Sequence, residues 1–357
     1  MPMSKRALGW AAVVAASIVA IAAGCSLVTS YDGFAPDGPV CGKRVPDRPS
    51  AAKGAQGGEI VGAMSELRFI PAQDGAPLGF DLDKLCTCPG KRACTNASAA
   101  DQQCDVPNTG IDNAGGLILS VLFPAQLNAQ LQGSLRAGVN GLVVRVLGWD
   151  GTPDDADVKV SLYNVVGLKG SDDGGALARF DGNDELIVDD SSLLTTADLG
   201  SKYFDTSAYV AGGVLVAAFD FDFRLAVPNL IDAAAPPSAV EVPLRTARLV
   251  GKIERVGAAG LRMGDAQLVG RLPADRIFTQ LSRIGLCQNS PDFAKIKGST
   301  CASLDLPTSP SQDGRNVACD ALSFAIGLKI SPARLGGHAA SAPAAGPCGE
   351  EAPQRCP

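Results

Sequence analysis

The residues in this chain that are best suited to catalysis or metal binding are cysteines and aspartates, because the sequence contains a single histidine. His338 lies in an Ala-, Pro- and Gly-rich stretch near the C-terminus. Ser-His-Asp and Cys-His catalytic systems need an imidazole that accepts a proton near neutral pH and is held by a rigid scaffold. Histidine-based zinc catalysis needs the same residue type. The sequence therefore favours a protein that is not an enzyme of these kinds.

Cys25 is the first of eleven cysteines and has a distinctive context. It follows Lys5, Arg6 and a stretch of apolar or small residues over 7–23. This layout is typical of a bacterial lipoprotein signal, after whose cleavage the cysteine carries the lipid. An ordinary secretory signal and an uncleaved N-terminal anchor are the alternatives. We expect a signal peptide over 1–24 and lipidation of Cys25.

Ten cysteines remain once Cys25 is assigned to lipid. An even number in an exported chain predicts up to five disulfides. Metal binding by thiolates is the alternative, but the paired two-residue spacing of zinc ribbons is missing. Short loops close at low entropic cost, which favours local bridges within 86–104 and between Cys287 and Cys301. The disulfide candidates are Cys41, Cys86, Cys88, Cys94, Cys104, Cys287, Cys301, Cys319, Cys348 and Cys356.

Carboxylates form several clusters that suit a hard cation such as calcium. None has the twelve-residue spacing of an EF-hand loop. The same residues form turns and solvate surfaces, and a carboxylate pair can also serve as the acid and base of a glycosidase. Asp81 and Asp83 flank the cysteine-rich loop, and Asp112 follows it. The candidates for a structural Ca²⁺ site are Asp150, Asp154, Asp155 and Asp157.

Period-two alternation predicts many strands to position these residues. It is clearest over 214–227, where Phe219, Phe221 and Phe223 share one face and the residues between them are charged. Hairpins are indicated around 149–156 and 257–260. The other predicted strands are 64–70, 117–123, 142–147, 157–163, 240–256, 261–272 and 322–330.

Helical signals are few. Pro124 suits the first turn of a short helix over 124–132. Asp275 is typical of a helix N-cap, with an apolar face through Phe278 and Leu281 and a stop at Gly285. Together, the predicted strands and helices indicate a mainly β protein. The expected fold is an antiparallel β-sandwich of jelly-roll type with one or two short helices and disulfide-tied loops.

The domain organisation follows from composition. A signal peptide over 1–24 precedes the lipidated Cys25 and a flexible tether over 25–58, rich in Pro, Gly and charge. The β-sandwich body covers 59–334 and includes a cysteine-rich loop at 79–107. An Ala/Pro/Gly-rich tail covers 335–357.

The formal net charge of −6 argues against nucleic acid as a partner and is compatible with divalent cations. Only 5% of residues are aromatic, which leaves few platforms on which sugars could stack. No cofactor other than a structural Ca²⁺ is expected. The membrane is expected as a partner through the lipid anchor.

Four stretches together resemble a group of uncharacterised bacterial cell-envelope lipoproteins of myxobacterial type. The resemblance implies an exported, disulfide-bearing surface protein and implies no activity. By resemblance to the usual sorting rule, the non-acidic Ser26 favours the outer membrane, with a periplasmic or surface-facing body. The stretches are 24–33, 79–88, 110–115 and 319–327.

The function expected from the sequence is a lipid-anchored cell-envelope protein with a non-catalytic binding or structural role. A glycan or another envelope protein is the expected partner. The alternative is an envelope polysaccharide hydrolase that uses paired carboxylates.

Overall fold

A computed structural model describes most of the chain beyond residue 42. The described residues are 43–50, 57–69, 77–85, 87, 92–96, 110–116, 125–170, 177–227, 238–341, 348 and 352–357. The predicted signal peptide, Cys25 and the predicted strand over 117–123 lie outside them, as does the rest of the predicted tether, 25–42 and 51–56.

The described part of the chain is mainly β, as the sequence predicts, with twelve strands and three helices of ten or more residues. The strands are β1 (Gly57–Arg68), β2 (Leu142–Gly148), β3 (Asp155–Leu168), β4 (Glu185–Asp189), β5 (Leu193–Thr195), β6 (Gly200–Ser201), β7 (Tyr203–Ala211), β8 (Val214–Val227), β9 (Ser238–Val256), β10 (Gly260–Pro273), β11 (Ala321–Pro332) and β12 (Arg334–Ala339). The helices are α1 (Ala125–Arg136), α2 (Ala274–Arg283) and α3 (Pro291–Ala302).

Eight of the strands close into a single barrel, so the predicted sandwich is wrong. β1, β2, β3, β7, β8, β9, β10 and β11 pair in chain order, each antiparallel to the next. β11 then pairs with β1, in a register that opposes Gly62 to Pro332. Alternation shows that one face of a strand is buried, in a sandwich and in a barrel alike. The closing pairs, β3 with β7 and β11 with β1, leave no local signal in the sequence.

The barrel interior is filled with apolar side chains, as expected for a small barrel of eight strands. Phe221 and Phe223 of β8 are fully buried there, which confirms the face predicted for this strand. The ring of Tyr203 meets Phe221 edge-on, with centroids 4.7 Å apart. Phe324 and Met64 fill the interior from β11 and β1. This packed interior is the main hydrophobic core of the protein.

The two ends of the barrel differ in their connections. At one end the links are short, and Gly212 and Gly213 form a two-residue turn between β7 and β8, both with positive φ. This backbone is that of the type I′ hairpin turn. The long connections and all three helices lie where β1, β3, β8 and β10 finish. Phe278 of α2 packs there against Phe293 of α3, with ring centroids 6.2 Å apart.

The helices partly match their predictions. α1 confirms the helix predicted over 124–132. α2 is also confirmed, but its N-cap is Pro273, and Asp275 lies in the first turn, where its charge suits the helix dipole. α3 is not predicted. Its N-cap Ser290 accepts a hydrogen bond from Phe293 N at 3.1 Å, and Pro291 opens the helix.

An external layer covers the outer face of β8–β11. We use this name for residues 77–87, 92–96, 110–116 and 303–320, so far as they are described. Leu78 and Phe80 pack there on Val216, Val250 and Val269. β11 is therefore buried on both faces over most of its length. The small outward residues of β11 allow this close approach.

A second covering lies at the end of β3. β4 pairs antiparallel with β3 and parallel with β12. Leu186 and Val188 of β4 pack with Val143 and Tyr163 on the outside of the barrel. β12, over Arg334–Ala339, occupies the start of the predicted tail.

Three disulfides among the described residues confirm that the chain carries disulfides but correct their predicted pairing. They join Cys94 to Cys319, Cys287 to Cys348 and Cys301 to Cys356. The predicted bridge between Cys287 and Cys301 is wrong because α3 lies between them. A helix of this length spans about 15 Å, more than twice the Cα separation that a disulfide allows. Cys94 likewise does not pair within 86–104. Cys41, Cys86, Cys88 and Cys104 lie outside the described residues.

Residues 43–50, within the predicted tether, pack against the body. Tyr209 of β7 donates a 2.5 Å hydrogen bond from its hydroxyl to Pro46 O. The Arg48 guanidinium lies 4.8 Å from the centroid of the Tyr209 ring. Arg48 also donates to Ala156 O at 2.8 Å and to Ser207 O. This segment is thus part of the folded surface.

Candidate functional site

Three buried aspartates meet in the external layer. Asp81, Asp83 and Asp112 each place a carboxylate oxygen within 4.8 Å of the other two. All three residues are at most 5% exposed. Within the described ranges, this is the one group of three or more His, Cys, Asp or Glu residues whose ligand atoms converge in this way. We call it the aspartate triad.

Three chain segments hold the triad together. Phe80 and Asp112 form an antiparallel bridge in which Asp112 N donates to Phe80 O at 3.2 Å. Asp81 N donates to Lys43 O at 3.0 Å, which adds the segment 43–50. Burial of Leu78 and Phe80 on the barrel fixes the segment that carries Asp81 and Asp83. The barrel face is therefore the platform for the triad.

The three carboxylates differ in their hydrogen bonds. Asp112 Oδ2 accepts from Leu82 N at 2.7 Å. Asp83 Oδ1 accepts from Leu85 N at 2.7 Å, and its Oδ2 accepts from Thr87 Oγ1 at 3.2 Å. Both oxygens of Asp81 are buried and accept no hydrogen bond from the described residues. A buried carboxylate without such partners is costly unless another positive group faces it.

Arg44 is the cation nearest to Asp81 in the described structure. Its Nε lies 3.5 Å from Asp81 Oδ2, and the Arg44 side chain is 62% exposed. The other nearby cation, Lys43, donates from Nζ to Pro77 O at 2.5 Å. Burial lowers the pKa of the Lys43 ammonium. Within the described residues, the buried Asp81 carboxylate thus faces one guanidinium, which is mostly solvated.

The calcium candidates from the sequence lie elsewhere, at the end of the barrel with short hairpins. Asp150 Oδ1 accepts from Thr152 N at 2.8 Å, and Asp154 Oδ1 accepts from Gly212 N at 2.8 Å. Asp155 Oδ1 accepts from Asp157 N at 3.0 Å. These contacts stabilise turns. Among these four described residues, no three carboxylates converge as ligands for one metal ion.

His338 lies on β12, opposite Val188 of β4. Its Nδ1 is 2.6 Å from Asp190 Oδ1, and both side chains are more than a third exposed. In the described structure no Ser, Thr or Cys side chain is hydrogen-bonded to the other ring nitrogen. Among the described residues, His338 and Asp190 are therefore not joined by the nucleophile that a catalytic triad needs.

A surface pocket opens between α1, the end of β3 and β4. Its volume is ≈ 930 Å³. Basic side chains contribute to its lining through Arg136, Lys169 and Arg179, and Phe180 adds an aromatic ring. Lys169 forms an ion pair with Glu185 that holds the pKa of this carboxyl below its usual range. Arg136 and Arg179 have no ion-pair partner among the described residues. We call this cavity the basic pocket.

Sequence reasoning missed the basic pocket and undervalued the aspartate triad. Arg136 ends α1 and Arg179 lies in the loop before β4, and these two stretches meet in the fold through the hydrogen bond from Ala178 N to Arg136 O at 2.7 Å. Asp81, Asp83 and Asp112 were recognisable as acidic positions beside the cysteine-rich loop. Their convergence, which sets them apart from the aspartates at the hairpin tip, depends on the external layer.

The fold and these sites define a disulfide-stabilised, antiparallel eight-stranded barrel with a covering layer and a basic surface pocket. No helix within the described ranges combines the length and the apolar character needed to cross a bilayer. Comparisons of the chain with family models, curated proteins and solved structures gave no match.

Proposed function

We propose that this chain is a lipid-anchored cell-envelope protein whose barrel binds an acidic glycan in the basic pocket. The observation that carries the proposal is the convergence of Arg136 and Arg179, free of ion pairs in the described structure, on one open cavity. Arginine presents a planar fork of donors that matches a carboxylate or sulfate group. The Phe180 ring offers an apolar surface for a sugar face. The outer membrane remains the proposed location.

A binding role is favoured over the hydrolase alternative by the state of the carboxylates. The aspartate triad is buried, so a polysaccharide cannot reach it. In the basic pocket, Glu185 is paired with Lys169, whose charge and hydrogen bond lower its pKa. A glycosidase acid needs a raised pKa instead. Asp184 Oδ2 accepts hydrogen bonds from Arg179 N, at 3.0 Å, and from Phe180 N, which commits it to the loop.

Calorimetry with purified protein tests the glycan proposal. Acidic oligosaccharides such as oligogalacturonate should bind, and neutral dextran oligomers should not. Arg136→Ala combined with Arg179→Ala should weaken the binding at least tenfold, whereas Arg262→Ala, at an exposed ion pair with Glu254, should leave it unchanged. Equal affinity of the double variant and the parent protein would refute the pocket. Capture of an envelope protein without any oligosaccharide binding would favour the protein-partner role instead.

Lipid attachment is tested separately. Cys25→Ala should abolish incorporation of labelled fatty acid and release the protein from membranes. Two or more acyl chains are needed for stable anchoring, which the lipoprotein modification provides. Continued labelling of the variant would contradict the anchor.

A further inference from the structure

We propose that the aspartate triad binds one divalent cation, calcium by preference, and that this ion holds the segments of the external layer together. The proposal is independent of the glycan-binding function. It assigns a ligand to Asp81, Asp83 and Asp112, which the sequence alone did not select over the aspartates of the hairpin tip.

Hard oxygen ligands converge at the triad. Three carboxylate oxygens, one from each aspartate, lie within 4.8 Å of one another. Oxygens bound to one calcium ion at 2.3–2.6 Å can be up to about 5 Å apart. Carboxylates without nitrogen or sulfur ligands favour calcium or magnesium over zinc. The spacing therefore suits a common hard cation.

In the described structure, Asp81 differs from the other two aspartates in its surroundings. Its side chain is 0% exposed, and within the described part of the chain neither of its oxygens accepts a hydrogen bond. The Arg44 guanidinium at 3.5 Å is mostly in solvent, where water screens its charge. Asp83 and Asp112 are stabilised by hydrogen bonds from Leu85, Thr87 and Leu82. The Asp81 carboxylate thus lies in the triad with a charge that no hydrogen bond from the described residues compensates. A cation bound by the triad would compensate this charge.

The triad lies where three segments of the chain meet. Asp81 is linked to the segment 43–50 through Lys43 O, and Asp112 is linked to the segment 77–85 through Phe80. An ion held by all three aspartates would join the segment 43–50, which lies within the predicted tether, to both strands of this bridge. Calcium commonly uses such loop carboxylates, and backbone carbonyls and water complete six to eight ligands.

Isothermal titration of the full-length protein, purified in detergent and freed of metal with a chelator, tests the site. One equivalent of Ca²⁺ should bind, and saturating Ca²⁺ should raise the melting temperature by about 3 °C or more. Asp81→Asn should weaken calcium binding at least tenfold. In the absence of calcium the same variant should melt no lower than the parent, because it removes a buried charge. Asp265→Asn, at a side chain that is 93% exposed, is the matched control and should bind calcium normally.

Asp83→Asn provides a second test if Asp81→Asn fails to fold. It should also lower the affinity for calcium at least tenfold. The proposal is overturned if the parent protein binds no calcium at millimolar concentration, or if both triad variants bind it as the parent does. A melting shift with magnesium but none with calcium would overturn the preference for calcium.

Discussion

Arg271 and Asp313 form a buried, two-pronged ion pair between the barrel and the external layer. Arg271 Nη1 donates to Asp313 Oδ1 at 2.7 Å, and Nη2 donates to Oδ2 at 2.6 Å. Arg271 lies on β10 and is 1% exposed. It also donates to Pro307 O at 2.6 Å and to Leu82 O at 3.3 Å. One side chain thus ties two parts of the external layer to β10.

Removal of the Asp313 charge should destabilise the protein strongly. Asp313→Asn leaves the Arg271 guanidinium buried without a counter-charge, which typically costs about 3–5 kcal/mol. Glu254→Gln breaks an exposed ion pair with Arg262 and should cost less than about 1 kcal/mol. Urea unfolding of both variants measures the difference. Equal losses of unfolding free energy would show that the buried pair does not fasten the layer.

The disulfides should differ in their contribution to stability. Cys94 and Cys319 are 225 residues apart, whereas Cys301 and Cys356 are 55 apart. In the chain-entropy view, a bridge stabilises by restricting the unfolded chain, more so for a longer loop. Replacing both Cys94 and Cys319 by Ala should therefore cost about 1 kcal/mol more than replacing Cys301 and Cys356 by Ala. Urea unfolding of the two double variants measures which pair of replacements lowers the free energy of unfolding more. The reverse order would mean that native contacts dominate.

The sequence predicts local structure well because local structure depends on local pattern. Phe219, Phe221 and Phe223 alternate with charged residues, and the strand that they predict is β8. The hairpin around Gly257 is likewise present, between β9 and β10. The fold class, mainly antiparallel β with disulfides, follows from such elements. Barrel closure does not, because it depends on pairs such as Gly62 with Pro332.

The candidate sites depend on long-range contacts, and for this reason they could not be predicted well from the sequence. Asp81 and Asp154 both lie in stretches of turn-forming residues. Asp154 accepts a hydrogen bond from Gly212 N at the hairpin end, while Asp81 is buried beneath the external layer. Their different surroundings arise only after folding. Arg271 gives no sequence signal either, because a charged residue on a strand is expected to face solvent.

The protein should lose stability in acid partly through Asp189. Burial acts to raise the pKa of this carboxyl, but hydrogen bonds from Ser191 and the charge of Arg224 outweigh it and lower the pKa below its usual value. A lowered pKa in the folded state stabilises the protein above the unfolded pKa, which is about 3.9. This contribution is lost as the pH falls through the folded pKa.

Asp189→Asn should accordingly destabilise the protein at pH 6 and have a progressively smaller effect as the pH falls below about 4. Urea unfolding of the variant and the parent from pH 6 to pH 2 measures this convergence. Asp265→Asn, at an exposed carboxyl, should show little effect throughout. A penalty for Asp189→Asn that stays constant over this range would rule out the carboxylate charge as its source.

The turn between β7 and β8 should require glycine because its backbone has positive φ angles, and not because a side chain would clash with its neighbours. Gly213 has a φ of +77°, and a Cβ added there would meet nothing within 4 Å. Gly213→Ala should therefore cost about 1–2 kcal/mol, the penalty of a left-handed conformation for a residue with a Cβ. Gly264 in β10 has equally open surroundings but no positive φ, so Gly264→Ala should be neutral or slightly stabilising. Thermal unfolding of both variants separates the two. Equal melting temperatures for Gly213→Ala and Gly264→Ala would mean that the turn adopts another conformation. The hydrogen bond from Ile253 N to Gly213 O, which joins the turn to β9, would then change as well.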